Sequence, residues 1–202
     1  MELSETKSKI IETAIKLYHQ NGINNVSIEE IALASEISKG NFTYHYATKS
    51  ELIDAILSSY CFELISVFDN IDSNAIDLKY YKFVIDSICE LQKKYEFLLY
   101  NIFQILQESK RGNDIFNNTI KKLYPFGFKI LNELNKAGDI RSCDSKEEMK
   151  SLIDQYVILT NYGIHMFSSD QNPLEMHQQT MASIITPYLT KEGDKKYKNF
   201  YC

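Results

Sequence analysis

The sequence predicts an all-α protein, on three observations. Apolar residues recur at the three- and four-residue spacing of an amphipathic helix along nearly the whole chain. The 202 residues include only 3 prolines and 7 glycines, too few for the frequent turns of a β-protein. Several helix starts carry a Ser/Thr-x-x-Glu capping pattern. We expect about nine helices in two domains, residues 1–47 and 48–202.

Capping residues set the bounds of the first four helices. Ser27, Ser38 and Thr48 are predicted N-caps of the second, third and fourth helices. Ser27 and Thr48 each precede a glutamate by three residues, which adds the second half of a capping box. The first helix should end at Asn21-Gly22, and the fourth should continue to about Asn70.

The rest of the chain has clear helix punctuation. Gly112 and Gly138 are suited to breaks or C-caps, and Pro125 falls inside a helical pattern, where it predicts a kink or a break. Pro173 stands at a first helical position. The polar tail 191–202 is expected to be frayed. The predicted helices in this part are 75–93, 95–110, 114–136, 146–168 and 173–190.

Composition and motif content exclude several classes of protein. Four widely spaced cysteines form no CxxC pair, so neither a zinc ribbon nor a disulfide scaffold is expected. The charged N-terminus and the lack of long apolar runs predict a cytoplasmic chain with no signal peptide and no membrane partner. HExxH, P-loop and GxSxG motifs are missing, so we expect no enzyme and no cofactor. His165 and His177 lie on separate predicted helices, so no metal site is expected either.

Two short helices joined by the turn 35–38 have the sequence form of a helix-turn-helix. In the second of them Phe42 and Tyr46 should face the core. The side chains left for another surface are of the types that contact bases and phosphates in a major groove. They are Lys39, Gly40, Asn41, Thr43, Tyr44 and His45.

Local charge favours nucleic acid as the partner of this segment. Residues 37–50 carry a net charge of +2. The whole chain carries −5, so the other 188 residues together carry −7. Helix N-termini at Ser38 and Thr48 would add phosphate sites. We expect the larger C-terminal domain to hold the negative charge. The alternatives are ordinary solvated lysines, packing of Tyr44 within the domain, and a surface role for His45.

Residues 8–56 resemble the DNA-binding domain of the TetR family of repressors. The similarity lies in the Ile31-Ala32 pair, the Ser38-Lys39-Gly40 turn, the Tyr44-His45-Tyr46 end of the recognition helix and the Lys49-Ser50-Glu51-Leu52 start of the next helix. The resemblance implies an all-helical homodimer that binds a palindromic operator in double-stranded DNA. It also implies a C-terminal domain with a small-molecule pocket, whose last two helices form the dimer bundle.

The resemblance also implies roles for single residues. Glu36 stands where the family usually has glycine, which predicts a left-handed non-glycine residue at a cost of roughly 1 kcal/mol. Glu29 stands at a position that contacts bases in some members, but a carboxylate repels phosphate, so it is not included. Base or groove contacts are expected at Lys39, Gly40, Asn41 and Thr43, and phosphate contacts at Ser27, Ser38, Tyr44, His45, Thr48 and Lys49.

The C-terminal domain is rich in Tyr and Phe, which suits a small apolar or aromatic effector. Helix 146–168 has two apolar stripes, one of which must be buried outside its own domain. The family's pocket position suggests Phe103, Tyr124, Tyr162 and His165 as ligand contacts. Dimer contacts are expected on the stripe that includes Tyr156, Thr160, Gly163 and Phe167.

Together these observations predict a ligand-responsive transcriptional repressor that binds DNA as a homodimer. The alternative from another class is a helical adaptor whose helix-turn-helix binds protein. Salt dependence distinguishes the two, because phosphate contacts weaken steeply with salt and an apolar protein interface does not.

Overall fold

The structure is a computed structural model that describes residues 4–68, 76–167 and 172–201. Over these ranges the protein is all-α, as predicted, with one isolated antiparallel bridge between Ile140 and Leu189. The helices are α1 Glu5–Asn21, α2 Ile28–Ala34, α3 Lys39–His45, α4 Lys49–Ser66, α5 Leu78–Lys94, α6 Glu96–Tyr100, α7 Ile102–Glu108, α8 Lys110–Lys136, α9 Lys146–Tyr162, α10 Pro173–Ser183 and α11 Lys191–Tyr201. Among these helices none is long and apolar enough to cross a membrane.

The chain forms two compact units. The first contains Met1–Cys61 and Tyr95–Asn117, and the second contains Phe62–Lys94 and Asn118–Cys202. Helices α6, α7 and the start of α8 therefore belong to the unit that holds the helix-turn-helix. The predicted division of function between residues 47 and 48 stays a prediction.

The predicted caps of the first unit are confirmed. The Ser27 hydroxyl accepts from the Glu30 backbone amide, and Glu30 accepts from the Ser27 amide at 2.7 Å, which completes the capping box. Ser38 caps α3 by accepting from the Asn41 amide. The Thr48 hydroxyl accepts from the backbone amide three residues on. Such caps satisfy amides that have no partner inside the helix.

Three predicted helices are shorter or divided. Residues 95–110 form α6 and α7, which meet at Asn101, where the backbone leaves the helical conformation. The predicted helix 146–168 changes at Gly163 into a 3₁₀ turn that ends at Phe167. α10 ends at Ser183, and a separate 3₁₀ turn follows with Pro187 inside it. The predicted end of α4 near Asn70 lies outside the described residues.

The breaks expected near Gly112 and Pro125 are absent from the described α8, and the alternative of a kink at Pro125 stays a prediction. The helix begins at Lys110, so Gly112 lies in its first turn, and it continues through Pro125. Gly112 is needed for packing instead, because a Cβ there would lie 2.8 Å from the Asp54 Oδ1 atom. Gly138 has a φ of 76° just after α8 and confirms the predicted C-terminal stop.

The prediction of a frayed tail is wrong, because residues 191–201 form α11. The Thr190 hydroxyl accepts from the Gly193 amide at 3.0 Å and caps this helix. Lys196 Nζ lies 2.6 Å from the Oδ1 atom of Asp139, whose side chain is fully buried. A Cβ on Gly193 would lie 1.9 Å from the Asp139 carbonyl oxygen, so glycine permits this close approach. The prediction rested on the polar composition of the tail, which does not reveal contacts with residues far away in the sequence.

Candidate nucleic-acid interface and internal cavity

The turn between α2 and α3 adopts the backbone predicted for it. Glu36 has a φ of 58°, in the left-handed region that favours glycine. Its carboxylate lies 2.6 Å from Lys9 Nζ on α1, and this hydrogen bond holds the pKa of Glu36 below its usual value. The ion pair is exposed, so it offsets only part of the backbone strain. The turn sets the direction in which α3 leaves α2.

One side of α3 is anchored and the other is open. Phe42 is fully buried and Tyr46 nearly so, as predicted. The Tyr44 side chain is 84% exposed, which excludes the alternative that it packs within the domain. His45 is half-buried, and its ring centroid lies 5.2 Å from that of Tyr44. A large exposed aromatic at the end of a short polar helix favours an external partner.

Gly40 is on the exposed side of α3, and nothing within the described fold calls for glycine there. A Cβ would meet only the Ser38 hydroxyl, at an ordinary 3.9 Å, and φ is not left-handed. Glycine inside a helix costs about 1 kcal/mol relative to alanine. Close approach of another molecule at this position would account for that cost.

Thr43 uses its hydroxyl within its own helix. The Oγ1 atom donates to the carbonyl oxygens of Lys39 and Gly40, at 3.1 and 3.0 Å. Its single hydrogen is therefore engaged, and the exposed side chain offers its methyl group and oxygen lone pairs. A methyl group in a major groove is suited to contact with the methyl of thymine.

Lys39 is paired with a residue outside its helix. Its ammonium donates to the Glu29 carboxylate on α2, and both side chains are more than half exposed. This bond lowers the pKa of Glu29. Lys39 therefore has to exchange a carboxylate for DNA if it contacts the operator. Sequence reasoning excluded Glu29 from the interface, yet it controls the availability of a predicted contact.

Lys49 has an internal role that its sequence position did not indicate. Its Nζ atom donates to the carbonyl oxygens of Ile23 and Val26, at 2.5 and 2.7 Å, and lies 5.6 Å from the Tyr18 ring centroid. Partial burial lowers the pKa of Lys49, although nearby Glu30 opposes this. The ammonium fastens the start of α4 to the segment before α2. Its predicted phosphate contact has to use the remaining hydrogen.

The predicted hydroxyl contacts are all N-caps. Ser38 and Thr48 use one lone pair for the helix and keep a hydrogen to donate. Ser27 also donates its hydrogen to Glu30 Oε2 at 2.7 Å. Ser38 and Thr48 are therefore better prepared for phosphate than Ser27.

Negative charge is not confined to the second compact unit. The compact unit that holds the helix-turn-helix has 7 basic and 11 acidic residues, a net charge of −4. The second unit has 15 and 16, a net charge of −1. The reason lies in residues that the +2 window leaves out, among them Glu29 beside Lys39 and Glu36 beside Lys9. Attraction to DNA therefore depends on the few basic groups at the surface of contact.

The second unit encloses an apolar cavity of about 80 Å³. Helices α4, α5, α8 and α9 supply its walls, and its polar groups are few. It suits a small apolar ligand. The lining residues are Leu64, Phe68, Tyr81, Val84, Ile85, Ile88, Leu123, Gly127, Ile130, Leu131, Ile153, Tyr156, Val157 and Thr160.

The four predicted ligand contacts are not among the described residues that line this cavity. Phe103 is on α7 in the first unit and is 58% exposed, because the chain between α5 and α8 belongs to that unit. Tyr124 donates its hydroxyl hydrogen to Asp154. Tyr162 is half-buried at the end of α9, and His165 is in the 3₁₀ turn that follows. The four predicted contacts stay predictions, and the proposals below use the lining residues.

The four predicted dimer contacts all touch residues of their own unit. Thr160 is buried and lines the cavity with Tyr156, whose hydroxyl oxygen lies 2.7 Å from that of Tyr81. Gly163 packs on His177, and the Phe167 ring lies 6.0 Å from the same imidazole. This apolar stripe of α9 is thus used for internal packing. The spacing could not show which stripe faces inward.

Described residues hold no cluster of three or more His, Cys, Asp or Glu side chains arranged for a metal ion. His177 is buried between α5 and α9, and its Nε2 atom is paired with Gln92. Cys61 and Cys89 are buried thiols, and burial raises the pKa of Cys89 to about 12.

A helix-turn-helix with an open recognition helix, together with a separate helical unit that contains an apolar cavity, defines a DNA-binding regulator. Comparison with known proteins identifies its family. The family model described as bacterial regulatory proteins, tetR family, matches residues 10–56, and the model described as bacterial transcriptional repressor matches residues 59–197. The chain belongs to the TetR family of transcriptional regulators.

Curated relatives agree with this assignment. The uncharacterized HTH-type transcriptional regulator YuxN of Bacillus subtilis is 41% identical over 58 residues, which cover 29% of this chain and 20% of YuxN. The chain thus spans only a fifth of that relative's length. The negative regulator IcaR of the biofilm operon icaADBC in Staphylococcus aureus is 24% identical over 152 residues, which cover 73% of this chain and 77% of IcaR.

Solved structures show the same fold. A TetR-family regulator from Marinobacter aquaeolei has a TM-score of 0.87 at 21% identity and covers 98% of this chain and 97% of its own. A transcriptional regulator from Saccharomonospora viridis, solved in complex with choline, has a TM-score of 0.69 at 17% identity and covers 94% and 100%.

Proposed function

We propose that this chain is a ligand-responsive repressor that binds a palindromic operator as a homodimer. The observation that carries the proposal is the recognition helix α3. Phe42 and Tyr46 anchor it, while Gly40, with no internal need for glycine, and Tyr44, 84% exposed, lie on its open side. Such a regulator would act in the cytoplasm of a bacterial cell, where its DNA is.

The open side of α3 would enter the major groove. Asn41 would bind a base edge, the Thr43 methyl would contact thymine, and Lys39 would bind guanine after leaving Glu29. Gly40 would let the helix approach the groove closely. Phosphate contacts would come from Ser38, Tyr44, His45 and Thr48, with Ser27 and Lys49 as weaker contributors because of their internal bonds.

The homodimer would place a second α3 about one helical turn, roughly 34 Å, along the duplex. Apolar side chains exposed on the outer sides of α9, the following 3₁₀ turn and α10 support an interface there. Ile158 is 57%, Met166 70% and Met176 42% exposed. We propose this surface as the dimer contact in place of the stripe that includes Tyr156.

The effector would occupy the cavity of the second unit. Its lining is almost wholly apolar, which supports a small apolar or aromatic ligand. The choline complex of the Saccharomonospora viridis regulator shows that a protein of this fold holds a small molecule. The ligand has to prefer the state that does not bind DNA, since only a difference in affinity shifts the equilibrium.

Selection of bound sequences from random DNA tests the proposal. We expect an inverted repeat with half-sites one helical turn apart, and affinity that falls steeply as salt rises. A protein adaptor would select no DNA, and its affinity for its partner would depend little on salt. Selection of single unpaired half-sites, or of nothing, would contradict the proposed mode of binding.

A further inference from the structure

A buried polar pair joins three helices of the second unit. Gln92 on α5 and His177 on α10 have no exposed surface. Gln92 Nε2 lies 2.6 Å from the carbonyl oxygen of Thr160 on α9 and 3.0 Å from His177 Nε2. Within the described part of the chain, Gln92 Oε1 and His177 Nδ1 have no hydrogen-bond partner. The pair therefore has two polar atoms that the fold leaves unused.

The contacts determine which of these atoms donates. The Thr160 carbonyl oxygen only accepts, so the Gln92 atom beside it is the amide nitrogen. The second hydrogen of that nitrogen points to His177 Nε2, which must then accept it. A neutral imidazole carries its one hydrogen on the other nitrogen, so Nδ1 is a donor. The unused atoms are thus one acceptor, Gln92 Oε1, and one donor, His177 Nδ1–H.

The pair is next to the apolar cavity. Thr160 lines the cavity and accepts from Gln92, while Ile88, one helical turn before Gln92 on α5, lines it as well. Gly163 packs against the imidazole, since a Cβ there would lie 2.5 Å from His177 Cε1. The pair thus contacts a residue that lines the cavity, and is not itself among the lining residues.

Two buried polar atoms without partners are costly, at about 1–3 kcal/mol each. A bound molecule with the opposite pair of groups would satisfy both atoms. Burial also holds the pKa of His177 at about 4, so the imidazole stays neutral at physiological pH. A neutral donor and a neutral acceptor give no charge to attract an ion.

We propose that the effector is a small amphipathic molecule with one uncharged polar group that both donates and accepts. Its apolar body would lie in the cavity, while the group accepts from His177 Nδ1–H and donates to Gln92 Oε1. A primary carboxamide, a hydroxyl and an un-ionised carboxyl group meet this requirement. A carboxylate has no hydrogen to donate, and an ammonium group has no lone pair to accept. The inference rests on the proposed function, because it presumes an effector in this unit.

Isothermal calorimetry with two probes of the same acyl chain tests the inference on the full-length protein. Propanamide donates and accepts, whereas butanone, which has the same acyl chain and the same shape, only accepts. The small cavity, compared with an engineered one of roughly 150 Å³ that holds benzene, is the reason for so short a chain. We expect propanamide to bind roughly tenfold more tightly, as one satisfied buried acceptor implies. Equal binding of the two probes, or no binding of propanamide, overturns the inference.

Variants locate the preference. Gln92→Met removes the acceptor that only the amide can satisfy, so it should bind the two probes with equal affinity. His177→Phe removes the hydrogen that both carbonyl oxygens would accept, so it should weaken both probes and keep the preference. The control is Gln178→Met on α10, the helix that also holds His177. Gln178 donates to Asp86 and is not among the cavity-lining residues. This control should keep the wild-type preference. A preference that persists in Gln92→Met overturns the inference, and so does an unchanged affinity for both probes in His177→Phe.

A measurement on the wild-type protein covers the case in which those variants do not fold. In ¹⁵N NMR of histidine-labelled protein, propanamide should shift the Nδ1 resonance of the imidazole that contacts Gly163. If only a buried water satisfies the pair, that resonance stays unchanged, and the inference fails. Operator binding by the same preparation separates the two proposals. DNA binding without a probe preference contradicts this inference alone, and loss of DNA binding contradicts the proposed function.

Discussion

Each compact unit has features that the contacts within its described residues do not explain, and the two units hold these features in different places. In the first unit they are at the surface of α3, where those contacts require neither a glycine at Gly40 nor the exposed ring of Tyr44. In the second unit they are in the interior, where Gln92 Oε1 and His177 Nδ1 are buried with no hydrogen-bond partner among the described residues. On the proposed function, the surface would read the DNA sequence and the interior would respond to a small ligand. The difference indicates where each substitution should act.

The largest expected effect is on DNA binding alone. Gly40→Leu should lower operator affinity by at least roughly 100-fold, about 2.7 kcal/mol, because a bulky side chain would prevent close approach. The melting temperature should stay the same or rise, since leucine favours helix more than glycine does. Electrophoretic mobility shift and thermal melting measure the two quantities.

Gln20→Leu is the matched control, because it adds an exposed leucine on α1 without changing the charge. It should leave operator affinity unchanged. An affinity of the Gly40→Leu protein close to that of the wild type would remove α3 from the groove.

The next effect is on stability alone and arises in the second unit. Burial lowers the pKa of His177 to about 4 from about 6.5 in the unfolded chain, so the unfolded state takes up the proton first as pH falls. This stabilisation is complete above pH 6.5 and disappears between about 6.5 and 4. Between pH 7 and 5 the wild type should lose about 2 kcal/mol that His177→Phe does not lose. Urea unfolding of both proteins at the two pH values measures it, and equal losses would contradict a buried neutral imidazole.

A smaller effect concerns the ion pair between α2 and α3. Glu29→Gln should release Lys39 and raise operator affinity about two- to fivefold, the range expected for an exposed pair. Glu12→Gln on α1 changes the charge equally and is a control with little expected effect. Fluorescence anisotropy with labelled operator measures both. Equal gains in the two variants would mean that net charge, not the release of Lys39, is responsible.

The smallest effect tests the role of Thr43. Its hydroxyl hydrogen is engaged by the helix backbone, so Thr43→Val, which keeps a methyl group in the same place, should change affinity less than about twofold. Thr43→Ser lacks that methyl and should lose preference for thymine at one position per half-site. Selection from random DNA compares the two variants, and the reverse order would assign the contact to the hydroxyl.

Local patterns predicted most of the DNA-binding unit. The caps at Ser27, Ser38 and Thr48 and the left-handed Glu36 depend on residues within one or two turns, so the sequence order specifies them. Contacts made in space were not predicted. The pairing of Lys39 with Glu29 depends on the angle between two helices, which local patterns do not specify.

The second unit was predictable only in outline. α9 is apolar on two sides, so periodicity could not decide that Tyr156 and Thr160 face inward and Ile158 outward. Gln92 and His177 stand about 85 residues apart, and only the packing of α5 on α10 brings them together. Phe103 was expected in the pocket because of the family's pocket position, but its segment belongs to the first unit.

The ion pair between Glu29 and Lys39 also changes what a salt titration would count. Each phosphate neutralised by a free lysine releases about 0.9 of a bound cation from duplex DNA. Lys39 instead leaves a carboxylate behind, and that carboxylate attracts a cation of its own as the lysine turns to the duplex. The logarithmic salt slope of the wild type should therefore underestimate the number of phosphates it touches, and removal of the Glu29 charge should make the slope steeper.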